Sequence, residues 1–276
     1  MTVVDVAAEV VANRRLSDDY NVVELAAPEV GAAARPGQFV MVKPSAGLDP
    51  LLRRPFSIFE VVRDPAGRVT GITLLNKRVG VATALLSGLR PGDRVACLGP
   101  LGQPFEPVDP PVQAWLVAGG VGLAPFATLA QALAGRGTST TLFYGARRGA
   151  DLYCVDLFER LGARLVVSTE DGSRGDRGMV TAPLERELQA AAGARMHLYA
   201  CGPTPMMRAV AGLASRFGHP CHVSLEQVMG CGLGGCYSCV VRARDASGAP
   251  HYVRSCLAGP VFDAGDLVWD ELEQGH

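Results

Sequence analysis

Four cysteines near the C-terminus constrain this chain more than any other feature. Their spacing is C-x4-C-x2-C followed by one distant member, and they are Cys231, Cys236, Cys239 and Cys256. This spacing is typical of the cysteines that hold a plant-type [2Fe-2S] cluster. Three ligands so close together require a loop folded round the metal, and the glycines between them supply the backbone freedom for it. The sequence therefore predicts a one-electron carrier.

A structural zinc site is the alternative interpretation of the same four cysteines. Zinc knuckles usually consist of two similar short pairs, whereas here three cysteines cluster and the fourth lies 17 positions further on. A zinc-stabilised interaction module therefore stays open as a second class of function.

The bulk properties limit the partners that the chain can have. The 276 residues are enough for two domains and a small third one. The 26 basic and 27 acidic residues nearly cancel, which favours small molecules or proteins over nucleic acid or an anionic membrane. The N-terminus lacks a basic stretch and carries Asp5 and Glu9, and no apolar run is long enough to span a bilayer. Cysteines without a disulfide-like framework indicate the reducing cytoplasm.

The first third of the chain shows short β-type runs separated by Gly, Pro and Asp. Strands are predicted at 22–26, 38–43, 56–63, 69–75 and 94–98. One helical interruption, at 81–89, does not change the pattern, which indicates an antiparallel β-barrel over residues 1–103. Four prolines then mark a linker: Pro104, Pro107, Pro110 and Pro111.

After the linker, apolar strands alternate with helices, as in a parallel βαβ series over residues 112–220. The predicted strands are 114–117, 140–144, 164–168 and 197–200, and the predicted helices are 124–134, 152–161, 182–192 and 205–217. Thr204 is predicted as the N-cap of the last helix, with Pro205 at its first position. Residues 221–276 form a third, short module with the cysteine loop. The predicted fold class is α/β plus β.

Two short motifs in the barrel are suited to a flavin. In Arg54-Pro55-Phe56-Ser57 the ring can lie against a flavin while the guanidinium meets a phosphate. Gly80-Val81-Ala82-Thr83 opens a helix, whose free N–H groups form a natural phosphate site. Taken alone, the first motif is weak, because an Arg before a core Phe is usually just surface beside core, and the second is equally well a plain strand-to-helix turn.

Two further motifs lie at the ends of predicted parallel strands, where such folds bind ligands. The segment 118–125 contains Gly119, Gly120 and Gly122, which let the backbone approach a pyrophosphate, although it is not a strict G-x-G-x-x-G. Cys201 begins a Cys-Gly-Pro step, and its thiol could touch a nicotinamide. The alternative is a strand-end residue without a catalytic role.

These pieces gain meaning in combination. Nicotinamide exchanges two electrons as hydride, whereas a [2Fe-2S] centre passes one at a time, so a chain that binds both needs a converter. A flavin is such a converter, and the barrel is the module left to bind it. The histidines show no metal spacing, and no Ser/His/Asp grouping stands out, so hydrolysis is disfavoured.

The motifs together resemble the electron-transfer subunits of NAD-linked (class 1B) dihydroorotate dehydrogenases, within the ferredoxin reductase superfamily. The resemblance covers nearly all of the chain. Its marks are the residues 54–57, 80–83, 99–102, 118–125, 201–203, 224–226 leading into the four cysteines, and 259–262.

The resemblance implies FAD, a [2Fe-2S] cluster and NAD as cofactors. The FAD would be held by Arg54, Pro55, Phe56, Ser57, Leu75, Asn76, Lys77, Gly80, Ala82 and Thr83, and the cluster by the four cysteines. It also implies a catalytic partner subunit with FMN in a (β/α)8 barrel, hence a hetero-oligomer acting in pyrimidine biosynthesis. Electrons from dihydroorotate would pass through the iron–sulfur centre to FAD and then to NAD+.

Some residues depart from the family pattern. Ala82 replaces the usual Gly, and Asn76 the usual aromatic residue. Arg147 and Arg148 follow the second parallel strand, where basic residues favour a 2′-phosphate, so NAD is expected and NADP stays open. A reductase component with the same cofactors that serves an oxygenase, a hydrogenase or a sulfite reductase remains the alternative enzyme.

Overall fold

The N-terminal part of the molecule is a seven-stranded antiparallel sheet. The computed structural model describes residues 2–191 and 193–272. The strands of this sheet are β1 (Val4–Arg15), β2 (Tyr20–Ala26), β3 (Phe39–Lys43), β4 (Arg54–Ser57), β5 (Glu60–Arg63), β6 (Val69–Lys77) and β7 (Arg94–Leu101). Their order is β4-β3-β7-β1-β2-β6-β5, and helices α1 (Pro28–Ala33) and α2 (Val81–Gly88) accompany them.

The two edge strands of this sheet, β4 and β5, are consecutive in the chain, and the residues between them close the sheet. Ile58 N–H donates to the carbonyl of Gln38 and Phe59 N–H to that of Thr73, each at 2.9 Å. Gln38 directly precedes β3 and Thr73 lies in β6, so this corner joins the two ends of the sheet. The predicted barrel is confirmed. The prediction of one strand at 56–63 is wrong, because the buried residues Ile58 and Phe59 form a corner that divides it.

Two elements of the barrel were not predicted. Strand β1 contains charged residues and alanines rather than a run of β-branched residues, yet it pairs with both β2 and β7. Helix α1 has six residues, too few for a hydrophobic period, and begins at a proline in its first turn.

A parallel sheet forms the second part of the molecule. Its strands are β8 (Gln113–Gly119), β9 (Thr140–Ala146), β10 (Arg164–Thr169), β11 (Asp176–Arg177), β12 (Met196–Cys201), β13 (Cys221–Ser224) and β16 (Val261–Asp263). The order is β11-β10-β9-β8-β12-β13-β16, and only β16 is antiparallel to its neighbour. The helices are α3 (Phe126–Gly135), α4 (Val155–Arg160), α5 (Thr181–Ala190) and α6 (Thr204–Phe217).

The predicted starts of three helices are shifted by local backbone geometry. A 3-10 turn over Gly120–Leu123 precedes α3, and the left-handed backbone of Cys154 (φ 55°) delays α4. Thr204 is the first residue of α6 rather than its N-cap, because Pro203 (ψ 138°) is the last extended residue. The helix predicted at 182–192 corresponds to α5, and residue 192 lies outside the described residues.

The C-terminal segment is not separate from the parallel sheet. Strands β13 and β16 extend that sheet, while β14 (Val240–Arg244) and β15 (Pro250–Arg254) form a two-stranded ribbon, followed by α7 (Ser255–Ala258) and, after β16, α8 (Trp269–Leu272). The domain limits 1–103, 112–220 and 221–276 stay a prediction. Among the residues described, no helix has the length and apolar character needed to cross a membrane.

Shared cores hold the three parts together. Tyr20 and Leu75 of the barrel are buried in one cluster with Leu123 and Phe126 of the parallel-sheet part. A second cluster joins barrel residues to the cysteine loop: Phe39, Met41, Leu101, Met229, Cys239 and Cys256. The sites predicted on the three parts are therefore carried on one packed framework.

Candidate functional site

The structure gathers the four cysteines of the C-terminal loop into two pairs. The thiols of Cys231 and Cys236 are hydrogen-bonded neighbours on the outer side. Cys239 and Cys256 form the inner pair, in which the backbone N–H of Cys256 lies 3.5 Å from the sulfur of Cys239. The backbone N–H of Leu233 also donates to the sulfur of Cys231, at 3.3 Å. Sulfurs that already accept N–H groups are suited to carry the negative charge of metal-bound thiolates.

One cysteine of each pair has a shifted pKa, and the two shifts are in opposite directions. Hydrogen bonds from the side chain and backbone of Ser238, and then from Cys231, lower the pKa of the exposed Cys236 to about 6. Burial raises the pKa of Cys256 to about 12, and the neighbouring Cys239 adds to this. Cys236 is thus the more ready of these two to provide a thiolate, while the proton of Cys256 would leave as a metal binds.

The pairwise arrangement of the four cysteines is compatible with a binuclear iron–sulfur cluster. In a [2Fe-2S] cluster each iron takes two of four cysteines, so the ligands spread over two centres. The hydroxyl of Ser255, next to Cys256, is buried and has no partner among the described atoms, which leaves a spare donor beside the fourth ligand.

The loop that carries the first three cysteines is held in shape from both ends. The guanidinium of Arg254, two residues before Cys256, donates to the carbonyl of Gly234 at 2.7 Å. The same group lies 4.9 Å from the ring centroid of Tyr237, a residue with a left-handed backbone (φ 59°). The N–H of Gly230 donates to the hydroxyl of Ser238 at 2.8 Å.

The cysteine loop packs directly on the barrel. Gly232 (φ 73°) lies so close to β3 that a Cβ there would be 2.5 Å from Cγ of Met41. Met41 pairs in the sheet with Pro55 of the Arg-Pro-Phe-Ser strand. One strand therefore separates the predicted cluster loop from the predicted flavin strand.

The Arg-Pro-Phe-Ser motif forms β4, at one edge of the closed sheet. Arg54 is exposed, and its guanidinium donates to the carbonyls of Leu52 (2.9 Å) and Arg53 (3.1 Å). Pro55, Phe56 and Ser57 are half-buried, and Phe56 packs against the barrel core. An exposed arginine next to a partly covered ring is compatible with a ligand on this edge.

Helix α2 begins with free N–H groups, as the Gly80 to Thr83 motif predicts. The hydroxyl of Thr83 accepts the N–H groups of Val79 (2.9 Å) and Gly80 (3.0 Å), which leaves those of the first turn for an anion. The side chain of Ala82 is buried against the sheet, so the replacement of Gly by Ala adds nothing to the exposed face. Val79 and Val81 flank this end of the helix and are exposed.

The residues predicted near the end of β6 are not equivalent. Leu75 and Asn76 are buried, so a cofactor contact there would use their backbone. Lys77 is exposed, and its Nζ lies 5.7 Å from the ring centroid of Tyr20.

The glycine turn after β8 and the Cys-Gly-Pro step after β12 lie side by side. A Cβ at Gly122 would be 2.3 Å from the carbonyl oxygen of Cys201, so only glycine fits there. A Cβ at Gly119 would be 2.8 Å from the sulfur of Met206 and 2.9 Å from Cδ of Pro203, and Gly120 has a left-handed backbone (φ 55°). The structure thus joins two motifs that are far apart in the sequence at the C-terminal edge of the sheet.

Cys201 is buried at this edge, and burial raises the pKa of its thiol above the usual range. A neutral thiol can contact a nicotinamide but does not serve as a base or nucleophile at neutral pH. The role of Cys201 stays a prediction.

Tyr20 was not predicted as a site residue, yet it lies between the barrel and the glycine turn. Its hydroxyl is 3.9 Å from the position of a Cβ at Gly120, and its ring centroid is 4.6 Å from that of Tyr153. Burial raises the pKa of Tyr20 to about 12. A single aromatic at a strand start carries no signal in the sequence that distinguishes it from a core residue.

The two arginines after β9 differ in their surroundings. Both side chains are exposed, but Arg148 pairs with Asp151 at 3.2 Å, which offsets part of its charge.

A closed antiparallel barrel, a parallel sheet with a glycine turn and a four-cysteine loop define a ferredoxin-reductase-like electron-transfer protein. Two family models match the chain accordingly. Residues 116–212 match the oxidoreductase NAD-binding domain, and residues 226–268 match the iron-sulfur cluster binding domain of dihydroorotate dehydrogenase B.

Full-length relatives define the family more narrowly. The chain is 38% identical over 263 residues to the dihydroorotate dehydrogenase B (NAD(+)) electron transfer subunit of Desulforamulus reducens, covering 95% of this chain and 98% of that one. It is 41% identical over 238 residues to the same subunit of Geobacillus kaustophilus, covering 85% and 87%. The chain belongs to the family of dihydroorotate dehydrogenase B (NAD(+)) electron transfer subunits.

Solved structures agree with this fold. The structure described as an NADH-dependent reduced ferredoxin-NADP oxidoreductase superposes with a TM-score of 0.81 at 32% identity, covering 98% of this chain and 92% of that one. The ferredoxin reductase of carbazole 1,9a-dioxygenase superposes with a TM-score of 0.69 at 25% identity, covering 81% and 69%.

Proposed function

We propose that this chain is the electron-transfer subunit of an NAD-linked dihydroorotate dehydrogenase. It would bind FAD, a [2Fe-2S] cluster and NAD, and pass electrons between a partner subunit and NAD+. The partner would be the catalytic subunit, with FMN in a (β/α)8 barrel, in a hetero-oligomer of the cytoplasm. Dihydroorotate oxidation would require that partner.

One observation carries the proposal: the cysteine loop, the flavin strand and the glycine turn lie on one packed framework. Gly232 lies against Met41, Met41 pairs with Pro55, and β6 reaches the glycine turn through the Lys77–Tyr20 contact. The predicted binding residues for a one-electron centre, a flavin and a pyridine nucleotide are therefore neighbours in that order, as an electron relay needs.

Each part of the site has a defined task in this proposal. Bound FAD supplies the conversion between two-electron and one-electron transfer. Arg54 and the first turn of α2 would bind its phosphates, and the half-buried edge at β4 would shield its ring from water. The Gly119 to Gly122 turn would bring backbone N–H groups to the pyrophosphate of NAD, next to Cys201. The four cysteines would hold the cluster, with Cys236 on the exposed side.

Co-purification with a dihydroorotate dehydrogenase barrel subunit tests the proposal. The complex is expected to reduce NAD+ with dihydroorotate, while this chain alone reduces artificial dyes with NADH but does not oxidise dihydroorotate. In the matched variant Cys236→Ser the complex should keep its flavins and lose both the cluster spectrum and NAD+ reduction. A chain that carries FAD and the cluster but forms no complex with the barrel subunit would contradict the proposal.

The superposition on the NADH-dependent reduced ferredoxin-NADP oxidoreductase supports a second candidate, a reductase subunit with another electron partner. The two candidates share all three cofactors, so only the partner distinguishes them. Retention of the chain by an immobilised ferredoxin or oxygenase, together with no binding to the barrel subunit, would favour the second candidate. Zinc without acid-labile sulfide in the purified protein would favour the zinc module instead.

A further inference from the structure

The chain contains three asparagines, and all three form one hydrogen-bonded ladder in the barrel. Nδ2 of Asn76 donates to Oδ1 of Asn21 at 2.7 Å, and Nδ2 of Asn21 donates to Oδ1 of Asn13 at 2.7 Å. Asn76 and Asn21 are direct cross-strand partners on β6 and β2, and Asn13 lies on the adjacent strand β1. Asn21 and Asn76 are 2% and 0% exposed, so the amides have left water and depend on each other.

Both ends of the ladder bind the backbone of helix α2. At one end, Nδ2 of Asn76 donates to the carbonyl of Thr83 at 3.0 Å. At the other end, Nδ2 of Asn13 reaches three carbonyls at the C-terminal end of the helix, those of the C-cap residue Leu89 (2.8 Å), Ser87 (3.1 Å) and Leu86 (3.3 Å). Carbonyls at the end of a helix have no N–H partner four residues further on, so Asn13 donates to them from outside. The carbonyl of Leu86 also accepts the N–H of Leu89, at 3.4 Å.

The direction of the ladder is fixed by these carbonyls. A carbonyl only accepts, so Asn13 must present its NH2 group to the helix and its oxygen to Asn21. Asn21 must therefore direct its NH2 group to Asn13 and its oxygen to Asn76, and Asn76 must donate in turn. The Oδ1 atom of Asn76 is left buried and unpaired among the described atoms. This unpaired acceptor, at the Asn76 end of the buried network, marks a place where a further donor fits.

Helix α2 has few other constraints on its position. Of its eight residues only Ala82 and Leu86 are buried, whereas Val81 and Leu85 are exposed. Two buried apolar side chains hold a short helix on the sheet but leave its rotation and its axial position loosely fixed. Polar contacts at both ends supply the missing constraints.

We propose that Asn13, Asn21 and Asn76 are positioning residues for FAD, because they hold α2 so that its first-turn N–H groups face the cofactor phosphates. The inference rests on the proposed function, since it takes the start of α2 as the phosphate site. It also accounts for Asn76, where the family pattern has an aromatic residue: its side chain supports the helix instead of touching the flavin.

Isosteric Asn76→Asp in the full-length chain tests the ladder, because a carboxylate keeps the shape and loses both donations. The flavin-free protein is titrated with FAD and with riboflavin, which lacks phosphates. We expect FAD to bind about tenfold more weakly, equivalent to about 1.4 kcal/mol, and riboflavin affinity to be unchanged. Gln38→Glu is the matched control, since Gln38 is a fully buried amide of the same barrel that bonds to Gly102 instead of α2. Its ratio of FAD to riboflavin affinity should equal that of the wild type.

A merely structural ladder gives a different result. In that case FAD and riboflavin affinity would fall together, or neither would change, and either outcome would overturn the inference. If Asn76→Asp does not fold, Asn13→Asp at the half-exposed end makes the same test, with faster hydrogen exchange of the α2 amides as a second expected readout. A wild-type chain that binds neither flavin would contradict the proposed function itself, whereas wild-type FAD binding with an unchanged variant contradicts only the ladder.

Discussion

Gly232 of the cysteine loop lies directly against Met41 of the barrel, with no space for a side chain between them. The contact joins two parts of the chain that are far apart in sequence, and it sets how close a bound cluster comes to the flavin strand. We therefore expect electron transfer between the two predicted sites to depend on Gly232.

Gly232→Ala is expected to lower the iron and sulfide content of the purified protein to less than half of the wild-type value. Its left-handed backbone (φ 73°) and the 2.5 Å approach to Met41 both oppose a Cβ, so the loop must move away from the barrel. FAD content should not change. Gly235→Ala is the control, because a Cβ there meets open space. Equal cluster content in both variants would show that the loop tolerates displacement.

Gly122→Ala should weaken NADH binding at least tenfold while both other cofactors stay bound. A Cβ at this position would be 2.3 Å from the carbonyl oxygen of Cys201, so the glycine turn and the Cys-Gly-Pro step would be forced apart. NADH titration of flavin bleaching measures the effect. Gly135→Ala, at the end of α3 in open space, should leave the affinity unchanged. An unaltered NADH affinity in Gly122→Ala would contradict the prediction that the glycine turn belongs to the nucleotide site.

Cys201→Ala should slow hydride exchange between NADH and the flavin without loss of any cofactor, because the thiol is expected to lie beside the nicotinamide. Burial raises the pKa of this thiol, so the wild-type rate should show no step from its ionisation between about pH 6 and 9. Stopped-flow measurement of flavin bleaching by NADH gives the rate in the variant and the pH dependence of the rate in the wild type. A rate equal to that of the wild type would leave Cys201 a packing residue.

Stability is expected to fall in mild acid because of a half-buried histidine pair. Nε2 of His197 lies 2.7 Å from Nδ1 of His222, and burial followed by repulsion from His222 lowers the pKa of His197 to about 4. The unfolded chain binds this proton more readily, so the stabilisation is complete above pH 6.5 and is lost as pH falls towards 4. Partial solvent access reduces the loss to about 2 kcal/mol.

Urea unfolding at several pH values measures this slope in the wild type and in His197→Gln. The variant cannot take up the proton, so its free energy of unfolding should change less between pH 6.5 and 4. The interpretation fails if wild type and variant lose stability in parallel.

Local patterns predicted most strands because β-branched runs and glycine-rich turns act over a few residues. They placed β6 and β8 to within two residues and identified the four cysteines, whose spacing is itself chemical information. They did not reveal β1, because its pairing with both β2 and β7 stabilises a strand of weak propensity.

Contacts between distant segments could not be predicted from one sequence. Nothing near Gly232 indicates Met41, and nothing near Asn13 indicates that its amide caps a helix more than 70 residues away. The extension of the parallel sheet by β13 and β16 is of the same kind, since a four-residue and a three-residue strand depend on their neighbours. Asn76 is an example. The sequence predicts that it contacts the cofactor, but in the structure its side chain bonds to Asn21 and to the backbone of Thr83.

Anaerobic titration of the loaded chain with NADH, followed by visible and electron paramagnetic resonance spectroscopy, examines the relay itself. We expect NADH to bleach the flavin and the signal of a reduced [2Fe-2S] cluster to develop afterwards in the same molecules, with a smaller cluster signal in Gly232→Ala. A flavin that NADH bleaches fully while the cluster stays oxidised, although dithionite reduces it, would contradict the proposed electron path.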